Sequence, residues 1–313
     1  MKKKICVLLC VLTTLLCGCR TSSTNLRFGA ADIGGMYYSF ANTFSALSNE
    51  STDAYTMEVK STSGSSANLR LLADNYLELG IAQADLLDDA YKKSTNLRAI
   101  AGLYTEACQL VVRAHSDIYS LADLEGHSVS VGAAESGTEK NANQILEFAG
   151  LTSSIVDIQN MEYTTAAKAL KNGDIDAFFC TAGISTTVIS ELADQCDVRL
   201  VSLDETCLDR MLAYSDAYSK YIIPANTYRG QTDPIETIGV KAVLVTSDSV
   251  SNEVIRNVTN MLFEEAPTLQ YAISLNLELD EKTAVENVPI PFHKGAVAYY
   301  KEQGISVNTD TTE

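Results

Sequence analysis

Gly29-Ala30-Ala31-Asp32-Ile33-Gly34-Gly35-Met36-Tyr37-Tyr38 follows a short apolar run at 26–28 and opens an apolar-periodic segment at Met36. That order reads as a strand, a tight glycine turn and a helix. A glycine pair lets the backbone take φ > 0 and lets a ligand approach the main chain. The first helical turn beyond it exposes N–H groups that lack intrahelical partners, at the positive end of the helix dipole. Such a corner suits an anion. Taken alone it is as readily a βα turn with no ligand. Its weight comes from recurrence, because related Ser/Thr/Gly corners stand at three later strand ends.

The second corner, Ser61-Thr62-Ser63-Gly64-Ser65-Ser66-Ala67-Asn68, follows an alternating strand at 55–60 and precedes Leu69, Leu71 and Leu72. Residues 77–82 read as a third strand, running into Gln83-Ala84-Asp85 and a helix; 97–104 and 108–114 read as two further strands. The pattern then restarts. A strand at 128–132 leads to Ala134-Glu135-Ser136-Gly137-Thr138-Glu139-Lys140-Asn141, the third corner. A buried strand at 175–180 leads to Thr181-Ala182-Gly183-Ile184-Ser185-Thr186, the fourth. Residues 237–246 form a long strand, 251–263 an amphipathic helix with Ser251 as N-cap, and 289–296 introduces a last helix. Alternating β and α with short turns predicts a parallel sheet with helices on both faces. Two βα halves are present, one interrupting the other. The expected architecture is two α/β lobes joined by a two-strand hinge near 108–114 and 237–246. Lobe 1 comprises 26–110 plus 241–313, and the inserted lobe 2 comprises 111–240. The cleft then lies at the carboxyl ends of strands from both lobes, where closure brings the four corners to one ligand.

The chain has 313 residues, 46% hydrophobic and 20% charged, an ordinary globular balance with room for about two domains. Its net charge of −17 argues against nucleic acid and against a basic membrane-binding face. Small anionic or zwitterionic ligands remain open, because local helix ends outweigh a diffuse surface charge. Lys2, Lys3 and Lys4 precede an apolar stretch at 5–16, too short to span a bilayer comfortably, that ends in Leu16-Cys17-Gly18-Cys19. This looks like a bacterial lipobox. Residues 1–18 are expected to be a lipoprotein signal peptide, Cys19 the lipidated N-terminus and 19–25 a polar tether. The protein is then extracytoplasmic, held at the membrane by lipid alone. Of the later cysteines, Cys108 and Cys180 sit in apolar runs as small hydrophobes, and Cys196 and Cys207 are able to pair in an oxidising compartment.

No catalytic constellation emerges. There is no Gly-x-Ser-x-Gly elbow, the three histidines (His115, His127 and His293) have no metal-ligand spacing, and no base is identifiable beside Ser63, Ser65 or Ser136. The glycines form neither a dinucleotide nor a phosphate-loop fingerprint. Neither enzymatic activity nor a cofactor is expected. Asp85 and Glu139 are the carboxylates nearest the corners; they either meet a ligand ammonium group or complement helix dipoles. Tyr37 and Tyr38 are about 100° apart on a helix, so one faces the cleft and the other packs.

These residues together resemble the TAXI group of solute-binding proteins of TRAP transporters. The likeness is carried by Gly34-Gly35 with Tyr37-Tyr38, Ser63-Gly64-Ser65 with Asn68, and Gly80 with Gln83 and Asp85. It continues through Ile100-Ala101-Gly102-Leu103-Tyr104, Ser136-Gly137-Thr138-Glu139, Gly173 with Asp176-Ala177-Phe178-Phe179, and Thr181-Ala182-Gly183. Ile223-Pro224 with Thr227-Tyr228 and Gly230, and Ile290-Pro291 with His293 and Gly295-Ala296, complete an ordered series over nearly the whole mature chain. The resemblance implies a class II periplasmic-binding-protein fold. It also implies capture of an organic acid or amino acid of the glutamate, glutamine or 2-oxoglutarate kind, for a sodium-driven, fused TRAP membrane permease. On that reading Gly35, Ser63, Ser65, Ser136, Thr138 and Gly183 hold carboxylate oxygens, while Asn68, Gln83, Asp85 and Glu139 read the rest of the ligand. Gly64, Gly137, Thr181, Ala182 and one of Tyr37 and Tyr38 complete the wall, and the protein works as a monomer. One departure is Ala30-Ala31-Asp32, where that group shows a Gly/Thr-rich run. Asp32 beside an anion site repels a carboxylate, so it either caps the helix or meets an ammonium group. The same bilobed form also suits a sensing or surface lipoprotein with no transport role.

Overall fold

The computed structural model describes residues 24–273 and 279–309. The expected signal segment, Cys19 and residues 20–23 lie outside that range. Thr24 and Asn25 already belong to the first strand, β1 (Thr24–Gly29), so the tether read from the sequence overlaps it.

β1 leads to α1 (Met36–Ser51), β2 (Tyr55–Lys60) to α2 (Ser65–Ala73), and β3 (Leu79–Gln83) to α3 (Ala84–Lys93). β2 alternates buried Tyr55 and Met57 with exposed Thr56 and Glu58, as an edge strand with one wet face does. β3 is buried along its whole length, as a strand covered on both faces must be. The next strand, β4 (Leu97–Arg113), is one element of 17 residues where the sequence suggested two. Nothing between Leu103 and Arg113 is Gly or Pro, so the chain has no reason to turn there.

The second half follows with β5 (Ser128–Ser130), α4 (Gly137–Phe148), β6 (Asp157–Gln159) and α5 (Tyr163–Asn172). It continues with β7 (Ala177–Ala182), α6 (Thr187–Gln195), β8 (Val198–Val201), α7 (Glu205–Tyr214) and β9 (Tyr218–Ile223). A second long strand, β10 (Ile235–Ser247), returns to the first half, where α8 (Asn252–Glu264), α9 (Ala266–Ile273) and α10 (Lys294–Glu302) close the chain. Ser251 caps α8 as expected, its hydroxyl accepting from Val254 N. None of the described helices is long and apolar enough to cross a membrane.

The sheet is mixed, not parallel throughout. All ten strands form one hydrogen-bonded network with the order β2-β1-β3-β10-β4-β7-β5-β6, with β8 on β4 and β9 on β10. The expected parallel pairing holds inside each half, β2-β1-β3 and β6-β5-β7. It breaks at the long strands, which run antiparallel to each other and to β3, β7, β8 and β9. Each long strand changes partners partway along. β10 pairs with β9 through Val240 and with β3 from Ala242; β4 takes up β7 at Ala107. Glu106, one residue before that change, lies opposite Val240. Two sets of strands thus hang from opposite ends of a two-stranded ribbon.

Asn68 ties the first half together. It is fully buried, donates from Nδ2 to Gly29 O (3.2 Å) and Ile81 O (2.9 Å), and accepts from the Thr62 hydroxyl (2.7 Å). A Cβ on Gly29 would lie 2.5 Å from Asn68 Oδ1, so the glycine makes room for the side chain that binds its own carbonyl. Asn68→Ala should lower the unfolding free energy by about 1–3 kcal/mol, because it strands buried carbonyls of β1 and β3. Urea denaturation checks this; an unchanged midpoint would show that the bonds are dispensable.

Candidate ligand-binding site

The corners meet at a cavity of about 40 Å³ between the halves. Its wall takes Ala31, Asp32, Gly35, Met36 and Tyr37 from the first corner, and Ser63, Gly64 and Ser65 from the second. Gln83 comes from the end of β3 and Glu106 from the partner change on β4. The opposite wall is Ala133, Ser136, Gly137 and Thr138, then Glu162 and Tyr163 at the start of α5, then Thr181 and Ala182 at the end of β7.

Each of the four corners contains one left-handed residue: Ala31 (φ 61°), Gly64 (φ 118°), Glu135 (φ 65°) and Ser185 (φ 60°). The remaining non-glycine residues with positive φ among those described are Asn75, Asn226 and Asn287, a residue type that tolerates this region. In the first corner the glycine pair is therefore not where φ turns positive; Gly35 has φ −94°. The pair is needed for space. A Cβ on Gly34 would stand 3.0 Å from Thr164 Oγ1 across the cleft. Gly64 adopts φ 118°, ψ −149°, a region essentially reserved for glycine, and packs against Ser136 of the other half.

Helices that start at the cavity mostly lack side-chain caps. The N-caps of α1, α2, α3 and α5 are Gly35, Gly64, Gln83 and Glu162, and none makes a capping hydrogen bond. Helices α7, α8 and α10 are capped by Asp204, Ser251 and His293. The exception at the cavity is α4, where Ser136 Oγ accepts from Glu139 N at 3.0 Å.

Of the residues expected from sequence, Gly35, Tyr37, Ser63, Gly64, Ser65, Gln83, Ser136, Gly137, Thr138, Thr181 and Ala182 line the cavity. Tyr38 packs against the core instead, which assigns the cleft-facing role to Tyr37. Asn68, Asp85, Glu139 and Gly183 are not in the wall. Asn68 is spent on the backbone, as described above. Glu139 accepts from Glu135 N (2.8 Å) and Asn160 Nδ2 (2.9 Å), acting as a helix N-terminal acid. Asp85 Oδ2 accepts from the Tyr218 hydroxyl (2.7 Å) and Asn141 Nδ2 (3.0 Å), both from the other half. The residue is half-buried, but Oδ1 is closed to solvent and has no partner; burial raises the carboxyl pKa to about 6. Asp32 does not cap its own helix. Its Oδ2 accepts from Thr164 N and Oγ1, both at 3.4 Å, in the first turn of α5 across the cleft. Further bridges are the Arg70–Glu135 ion pair at 2.8 Å and Ala67 N to Glu135 O at 3.2 Å. The halves are drawn together over the site.

Glu106 lines the wall and is not among the residues expected from the sequence. Glu106 is 2% exposed, and its Oε2 accepts the Tyr37 hydroxyl at 2.7 Å. Burial pushes its carboxyl up to about 8, against hydrogen bonds from Tyr37 and Gln83 that pull it down. The sequence did carry a signal: Glu106 is the one charged residue between Arg98 and Arg113 in a mostly apolar stretch. Gln83 donates its backbone N–H to Ser65 Oγ (3.2 Å), while its side-chain Oε1 has no partner among the described residues. A Cβ on Gly137 would overlap that oxygen at 2.2 Å, so glycine at the third corner is what admits the glutamine. Tyr163 donates to Thr181 O (2.9 Å), and Thr138 Oγ1 accepts from Thr181 N (3.2 Å), fixing the far wall.

Cys108, Cys180, Cys196 and Cys207 are all free. Cys207 points from α7 toward Ile145 O, buried, while Cys196 ends α6 half-exposed, so the disulfide open from sequence is not formed.

A profile described as "NMT1-like family" matches residues 28–304, nearly the whole described chain. The chain belongs to the NMT1-like family. Solved structures agree on the fold of this NMT1-like chain. The alkanesulfonate-binding protein SsuA from Xanthomonas axonopodis pv. citri, bound to MOPS, matches with a TM-score of 0.50 and 14% identity over 80% of this chain and 78% of that one. An ancestral arginine-binding protein bound to arginine matches at 0.53 and 15% identity over 80% and 96%. The substrate-binding protein of an amino acid ABC transporter matches at 0.51 and 12% over 80% and 97%. The fold is that of periplasmic binding proteins, α/β with a mixed sheet and flanking helices.

The raised Glu106 pKa has a sign that can be checked. Its folded value lies above its ordinary 4.5, so its contribution to stability is complete below 4.5 and is lost as pH rises through about 8. His293, whose pKa is lowered by burial, acts in the opposite sense only below its ordinary 6.5. Between pH 6.5 and 8.5 the Tm of ligand-free protein should therefore fall, and in Glu106→Gln it should stay flat across the same window. Parallel slopes in thermal melts of the two proteins would contradict the assignment.

Proposed function

We propose that the chain is an extracytoplasmic solute-binding protein, anchored by lipid at Cys19, that captures a small organic acid or amino acid for uptake. The observation that carries this reading is the convergence of corners from both halves on one cavity at the strand crossing. The halves act as lobes, 26–110 with 241–313 and the inserted 111–240, turning on the ribbon of β4 and β10. Uncapped helix starts supply N–H groups for a carboxylate, and hydroxyls and amides supply the remaining contacts. Proteins of this fold that bind arginine or a sulfonate buffer, or serve an amino acid transporter, agree with a small polar solute. The ordered motifs of the TAXI group support a fused TRAP permease as the receiving partner and a monomeric binding protein. They make glutamate, glutamine and 2-oxoglutarate the first ligands to try.

Purified protein should release a small molecule on denaturation, identifiable by mass spectrometry, that rebinds in calorimetry. Ser65→Ala should weaken that binding roughly ten- to hundredfold, the range of one buried hydrogen bond to a charged group. A protein that releases nothing and binds none of the organic and amino acids tried would refute the reading. Uptake of the solute that survives deletion of the TRAP permease would refute the transport partner alone.

A further inference from the structure

We propose that the cavity selects a solute bearing a primary ammonium group, and that Glu106 is the residue that reads it. The proposal rests on the solute-binding reading and narrows its ligand class.

Glu106, Asp32 and Glu162 bring carboxyl groups to the wall, and no Lys, Arg or His lines it among the described residues. A dicarboxylate without an amine would enter a site with three acids and no cationic side chain to offset them. The second observation is the unmatched acceptor. Gln83 is 2% exposed, lines the cavity, and its buried Oε1 receives no hydrogen bond among the described residues. An ammonium group has donors only, so it suits Glu106 and Gln83 Oε1 together. The carbonyl of a 2-oxo acid brings another acceptor to the same place and leaves the glutamine oxygen unsatisfied. A carboxylate at the other end of the solute meets the uncapped first turns of α1 and α2.

The charge balance around Glu106 points the same way on every side. Tyr37 faces it from α1, Asp85 from the start of α3, Tyr104 and Cys108 from its own strand, Tyr163 from α5 and Cys180 from β7. None of these carries positive charge. With the cavity empty at neutral pH, burial keeps the Glu106 carboxyl protonated. An arriving ammonium group stabilises the carboxylate, and the displaced proton leaves to solvent. Binding of an amine therefore releases a proton, and affinity rises with pH toward about 8. A solute held by the neutral acid would show the reverse trend.

Matched pairs that differ only in amine against ketone test this: L-glutamate with 2-oxoglutarate, and L-alanine with pyruvate, titrated calorimetrically into the purified protein. The amino member of a pair should bind at least about tenfold more tightly than its 2-oxo partner. Titration in phosphate and in Tris at pH 7 should show proton release, and Glu106→Gln should lose about tenfold in affinity together with that release. Equal or tighter binding of the 2-oxo member, proton uptake, or unchanged binding in Glu106→Gln would overturn the proposal. So would release from denatured protein of a solute without an amine, which would leave the solute-binding reading standing. No binding by either member of either pair and no released solute would overturn both. If Glu106→Gln fails to fold, the proton release of the unaltered protein decides the matter alone.

Discussion

The antiparallel pairing of β4 with β10 is the interaction on which the rest of the structure depends. Ladder bonds run from Leu97 opposite Ser247 to Ala107 opposite Gly239, and each strand then continues with other partners. Without that ribbon the chain would be two unrelated βα units, and the corners of one would have no fixed relation to those of the other. With it, the turns after β1, β2, β5 and β7, and the end of β3, reach a single place. Glu106 belongs to the site because it stands where the ribbon passes from one half to the other, with no turn of its own.

The local chemistry of each corner explains why the walls are polar. The turns after β1 and β2 and the end of β3 hand over to helices whose N-cap residues make no side-chain bond. The glycines serve close approach more than flexibility. Gly34, Gly64 and Gly137 each face a residue of the other half at a distance that a Cβ would crowd. At these points the halves approach closely, while Arg70–Glu135 and Tyr218–Asp85 bridge them beside the site.

Much of this was legible from the residues. The corners announce themselves by composition, β2 was readable to its last residue from alternation, and Ser251 from its place before an apolar-periodic run. What was not legible depends on pairing, which no local pattern encodes. The mixed sheet follows from the long strands returning antiparallel, and β4 runs unbroken through Thr105-Glu106-Ala107, the gap between the two strands read from the sequence. Glu106 falls in that gap, and its burial comes from the strand pairing on both sides of it. Asn68, Asp85 and Glu139 were placed near the ligand because their types suit recognition. Their partners are carbonyls for Asn68, a tyrosine and an amide for Asp85, and a loop N–H and an amide for Glu139. Composition places a residue near a site; it does not say which of its neighbours claims it first.

The left-handed residues at the corners carry a consequence of their own. Ala31, Glu135 and Ser185 hold conformations that an unfolded chain visits seldom, and such positions persist only where the surrounding packing fixes them. The cost of shaping these loops is therefore met during folding by the packed sheet beneath them. Damage to that packing would distort the receptacle without altering any residue of its wall.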